Sequence, residues 1–216
     1  MTTATKTAAV LFALTLLTAS CTRVIDAQPV AGPDLAGGAA GGAAAQCEEV
    51  DAPLTDIETQ VAGEPILRIP QPQGWTRNTM LDSELIRFAM SNPALGTDEF
   101  APTAVVTLET AEGHQDPEQV FENQREALAT GLGATGIASE SHTLCGLPAE
   151  TIRYQMPQMG GLEPHPAMVV GAVLHTESKT FVAAVTVQTT DPDNPDYQRD
   201  AETILTGFQI LPPAKG

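Results

Sequence analysis

Basic residues are scarce in this chain: 10 Lys and Arg stand against 27 Asp and Glu in 216 residues, a formal charge of −17. Polyanions are bound by Lys and Arg that displace condensed counterions, so this balance excludes nucleic-acid binding. From Cys47 onward the cations before Lys215 are Arg68, Arg77, Arg87, Arg125, Arg153, Lys179 and Arg199, scattered singly. No basic patch can form from them, and an anionic lipid surface repels such a body. Apolar runs of about 18 residues are also lacking, which excludes a polytopic membrane protein. Gly and Pro, 18 and 17 residues, fall short of a disordered composition.

Catalytic signatures are lacking as well. There is no G-x-S-x-G, no HExxH and no C-x-x-C. Ser141 and His142 are the nearest nucleophile and base, but neighbours on a strand point to opposite faces. His114, His142, His165 and His175 stand isolated in sequence. Asp191, Asp193 and Glu202 occupy calcium-loop positions, yet Pro195 and Asp196 break that loop, and the acids read as a helix cap. No metal, cofactor or catalytic residue is expected, and the chain is not read as an enzyme.

What is present begins with an address. Residues 1–20 carry Lys6, an apolar stretch from Ala8 to Leu17, and then Thr18, Ala19 and Ser20 before Cys21. The stretch is well short of the roughly 20 residues that cross a bilayer, so it reads as an export signal. The small-small-Cys ending resembles the lipobox of bacterial lipoproteins, with Thr18 standing where that motif usually has an aliphatic residue. The resemblance implies that the Cys21 thiol is joined to diacylglycerol and becomes the first mature residue; ordinary secretion is the alternative. Two or more acyl chains anchor stably at about 0.8 kcal/mol per buried CH₂. The expected location is therefore the outer face of the cell membrane, with the lipid on Cys21 as the membrane contact.

Residues 21–46 read as a tether, since Gly, Ala and Pro supply 14 of the 18 residues from Pro29 to Gln46. Gly-rich scaling gives this segment a reach of roughly 25–30 Å. A single globular domain is expected over 47–213, with 214–216 as a tail. With Cys21 acylated, Cys47 and Cys145 remain outside the reducing cytosol and are expected to form a disulfide; a reactive or metal-binding pair is the alternative.

Within the domain, Ile66–Ile69 reads as a short strand. Ile86, Phe88 and Met90 alternate with Arg87, Ala89 and Ser91, the period of a half-buried strand. Val106 and Leu108 share one face of another, and Ile152, Tyr154 and Met156 one face of a third. Residues 166–175 and 180–188 are continuously apolar and belong at a sheet centre. Asp116-Pro117-Glu118-Gln119 resembles a capping box and opens a helix. Asn194-Pro195 opens a second, with Tyr197, Ala201, Ile204, Leu205 and Phe208 on one face. The expected fold is α+β, a largely antiparallel sheet with helices packed on it. Trp75 is expected in the core.

The lipobox, the tether, the early Cys47, Pro72–Trp75, Leu-Cys-Gly-Leu-Pro-Ala-Glu (144–150) and the late helix leading into Phe208–Ile210 together resemble the LpqN/LpqT lipoproteins of mycobacteria and related actinobacteria. The resemblance implies a PsbP-like α/β/α sandwich and a non-catalytic envelope protein. It also implies a binding role toward proteins of the envelope or of a host, or an accessory role in envelope lipid export. An alternative is a carrier of an acyl chain or other small apolar ligand. The loop 155–166, with Met156 and Met159, is the candidate ligand or partner loop, because methionines adapt to varied apolar surfaces.

Overall fold

The computed structural model describes residues 47–97 and 100–214. The export signal 1–20, the lipidation candidate Cys21 and the tether 21–46 lie outside the described residues, as do the last two residues of the tail.

Three short strands, β1 (Leu54–Ile57), β2 (Ile66–Pro70) and β10 (Gln209–Leu211), pair antiparallel in the order β1-β2-β10. Seven more build a large antiparallel sheet. They are β3 (Thr76–Arg77), β4 (Ile86–Ser91), β5 (Thr103–Glu112), β6 (Thr135–Leu144), β7 (Leu147–Met156), β8 (His165–His175) and β9 (Lys179–Gln188). Their spatial order is β3-β4-β5-β9-β8-β7-β6. The continuously apolar β8 and β9 lie side by side in the middle, where both faces of a strand are covered.

The register sorts side chains onto two faces. Ala149, Val170, Val185, Val106 and Phe88 lie on the first and pack against Leu67 and Ile69 of the small sheet and against α2 (Pro195–Thr206). Ile152, Tyr154, Val169 and Ala184 lie on the second, beneath Leu128 and Leu132. These two leucines follow α1 (Pro117–Glu126), in a π-helical stretch from Ala127 to Leu132. Gly133 ends it at φ 78°, donating its N–H to Leu128 O, a left-handed position that glycine fills without strain. A helical layer on each face makes the α/β/α sandwich that the resemblance implies. The helix α1 buries little besides Phe121, and a polar tie supplements it: Arg125 pairs with the buried Glu150 of β7 and, at 3.2 Å, with Glu118.

Local chemistry sets the element ends. Asn194 Oδ1 accepts from the N–H groups of Asp196 and Tyr197, and Asp116 accepts from Glu118 N–H, with Pro at the first turn of both helices. The Gln119 half of the expected capping box is absent: its amide donates to Glu122 and Asn123 instead of reaching back to Asp116. Between Leu144 and Leu147 the chain turns through Cys145 and Gly146, with φ of 51° and 77°, the double positive φ of a tight primed hairpin turn. Cys145 is held there by its disulfide to Cys47, 98 residues upstream.

The expected strand at Ile66 is present as β2 and pairs in a separate small sheet, whose third strand follows α2; such three- to five-residue strands carry almost no periodicity to show their partners. One further expectation is corrected. Arg87, placed by alternation on a solvent face, is buried. A bulge between Ile86 and Phe88 interrupts the alternation, and Arg87 forms a two-point pair with Glu64 at 2.9 and 2.7 Å.

Candidate functional site: a groove between helix α2 and the sheet

A groove of about 740 Å³ runs between α2 and the first face of strands β6 to β9. Its floor is aliphatic, made by Leu144, Met168, Val170 and Val187, and its helical wall presents Tyr197, Ala201 and Leu205. The floor follows from register. Arg153 pairs with Met168, which pairs with Val187, so one face carries a polar rim at the sheet edge and apolar residues toward the centre.

The wall is fixed by two devices. The Asn194 cap starts α2 beside Thr189 and Pro192 at one end of the groove. In mid-helix Trp75 Nε1 donates to Asp200 Oδ2 at 2.9 Å, both groups buried, and Arg199 closes on the other carboxylate oxygen at 3.0 Å. Ile204 and Phe208 then sink into the core and leave Ala201 and Leu205 facing the sheet across the groove.

The rim is polar and mixed in charge. His142 Nε2 and Thr151 Oγ1 are 2.9 Å apart, Gln155, Thr189 and Gln198 add neutral hydrogen-bonding groups, and Arg153 faces Glu140 at 3.9 Å. Glu48 and Glu202 complete it. Burial pushes the Tyr197 phenol up to about 12, so at neutral pH it offers a hydroxyl and not a nucleophile. An aliphatic floor under a rim of hydrogen-bonding groups suits an elongated molecule with one apolar and one polar end.

Ser141 and His142 lie on opposite faces, as alternation on a strand predicts, and the two methionines of the 155–166 loop lie off the groove. His142 faces the groove, while Ser141 points to the other side of β6 and is bonded to no base. Met156 is half-buried against the second-face cluster and Met159 is exposed, so neither lines this groove. His114 and His175, isolated in sequence, stack with ring centroids 4.9 Å apart, each ring bonded to a backbone carbonyl beside the other. Among the described residues no three His, Cys, Asp or Glu converge as metal ligands. Also among the described residues, no helix is long and apolar enough to cross a membrane. Sequence reasoning set the lip of a lipid groove at the 155–166 loop; only the ends of that segment, Gln155 and Pro166, line this groove, whose floor and wall come from the apolar stretch from Met168 and the apolar face of α2.

The family model described as Probable lipoprotein LpqN matches residues 47–211. No curated protein sequence matches the chain. Among solved structures, Mycobacterium tuberculosis LpqN, described as involved in cell envelope biogenesis, is similar with a TM-score of 0.59 at 18% identity, over 74% of this chain and 91% of that one. At that identity the likeness is one of fold. The Saccharomyces cerevisiae Ran-binding protein Mog1p gives a TM-score of 0.44 at 11% identity, over 74% of this chain and 97% of that one.

Proposed function

The chain belongs to the LpqN lipoprotein family, and from that membership we propose a non-catalytic binding protein of the cell envelope that holds an amphipathic, acyl-bearing molecule in the groove beneath α2. One observation carries this reading: a groove of about 740 Å³, within the roughly 300–1,000 Å³ of small-molecule sites, with an aliphatic floor and a hydrogen-bonding rim. The acyl part lies along Met168, Val170 and Leu205, and the polar end meets His142, Thr151 and Gln198. Diacylglycerol on Cys21 keeps the domain at the outer face of the membrane, within tether reach of such molecules. A role in envelope biogenesis, as described for the M. tuberculosis relative, fits a protein that shields an apolar chain during transfer.

Mass spectrometry on the full-length protein, purified from the membrane fraction of an actinobacterial host, tests both parts. Under denaturing conditions a diacylglycerol mass on Cys21 is expected. Under native conditions a stoichiometric non-covalent lipid is expected, reduced at least tenfold in Met168→Trp, which fills the floor while circular dichroism stays unchanged. A native mass without ligand, or full retention in that variant, would falsify the groove assignment.

A further inference from the structure

Away from the groove, exposed large hydrophobic side chains gather at one end of the large sheet. Val61, Met80, Leu81 and Leu85 are 62, 91, 48 and 48% exposed, four of the six such residues among the described ones. Val61 belongs to the loop between β1 and β2, and the other three to the loop between β3 and β4.

Polar ties join the two loops and hold both in place. Gln60 Nε2 donates to Ser83 O at 3.1 Å across them. Glu64 accepts from the backbone N–H groups of Gln60 and Val61 at 2.9 and 3.3 Å, shaping the Val61 turn. Arg87 grips the same carboxylate and reaches Glu58 O at 3.3 Å. On the second loop Asp82 is held by Arg77 at 2.7 and 2.8 Å, and Asn78 Oδ1 accepts from Met80 N–H at 3.0 Å. Ser83 Oγ accepts from Ile86 N–H at 2.9 Å, closing the loop onto β4. The hydrophobic side chains therefore stand on a prebuilt shelf, and the ordering that a flexible loop would undergo on association is already complete.

Charge selects the occupant. Arg87 is buried against Glu64 and Arg77 pairs with Asp82 of its own loop, whereas the exposed Glu58 and Glu84 make no ion pair among the described residues. An apolar centre with an acidic surround repels an anionic bilayer and complements a basic one. We infer that this shelf is a protein-docking surface, and that its partner presents apolar side chains ringed by lysine or arginine.

The test uses the chain from residue 21 onward, carrying Cys21→Ser and ¹³C-methyl methionine. Met80 reports on the shelf, and Met159, 51% exposed on a distant loop, is the internal control. An amphipathic helical Leu/Lys peptide is expected to shift the Met80 methyl signal and leave that of Met159 in place, while the matching Leu/Glu peptide shifts neither. The double variant Val61→Ser/Leu85→Ser, altered at exposed positions only, is expected to weaken Leu/Lys binding at least tenfold. Equal shifts at both methionines, no shift at Met80, or unchanged affinity in the double variant would overturn the inference. Phosphatidylglycerol vesicles that shift Met80 would overturn it in favour of a lipid surface. The groove variant Met168→Trp should bind the peptide normally, which keeps this surface separable from the groove.

Discussion

Arg87 and Glu64 show how much of this molecule rests on single polar side chains placed out of water. The guanidinium is 3% exposed and its carboxylate partner 11%, so removing one member strands the other. Arg87→Met is expected to lose about 3 kcal/mol, read by urea unfolding followed through the buried Trp75. The hydrogen bond from Arg87 holds the Glu64 carboxyl below its ordinary value near 4.5. The pair's contribution is therefore complete above that value and is lost as pH falls through the lower, folded one. In the variant this part of the acid-side decline should flatten, and an unchanged pH profile would show that Glu64 does not report the pair. Sequence placed Arg87 on the wrong face because alternation cannot register a bulge. It placed Trp75 correctly, yet the group that satisfies its indole lies 125 residues away, and nothing local points to Asp200.

At the scale of elements, legibility followed length and periodicity. Helix α2 was readable from Asn194-Pro195 and a five-residue apolar face, and all five of those side chains are buried. The strands β8 and β9 were readable from continuous apolarity. The π-helical end of α1 was not, because Ala127–Leu132 carries no signal that distinguishes one helical hydrogen-bond register from another. The small sheet was invisible for a different reason: β2 and β10 pair across some 140 residues through three register positions. The junction from α2 to β10 nevertheless governs how α2 and the small sheet fit together. Gly207 there has φ −90°, which any residue adopts, but a Cβ would sit 2.6 Å from Pro70 Cγ and 3.0 Å from Val50 Cγ1. Gly207→Ala is thus expected to destabilise by about 1–3 kcal/mol through overpacking, seen as a lower urea midpoint at unchanged slope. A neutral result would mean that β2 yields there without cost.

For the whole molecule, the disulfide ties the start of the domain to the hairpin turn between β6 and β7. Closing a loop of this size restricts the unfolded chain, and Cys145→Ser is expected to cost about 2–5 kcal/mol, less what relaxing its positive φ returns. Thermal unfolding of the variant against the oxidised parent measures this, and equal midpoints would assign the bond no stabilising part. The pairing was legible because Cys47 and Cys145 were the two cysteines left once Cys21 was given to the lipid. The position of the groove was not, since it arises from spacing between α2 and β7 and not from any residue alone. The same bond decides the fate of a nicked molecule. Residues 48–144 lie inside a covalently closed ring, so a protease that cuts the exposed segment 78–85 leaves one connected body, still joined to whatever precedes Cys47. A cut in the exposed connection between β7 and β8 falls outside the ring, and the fragment carrying β8, β9 and α2 is then retained by noncovalent contacts alone.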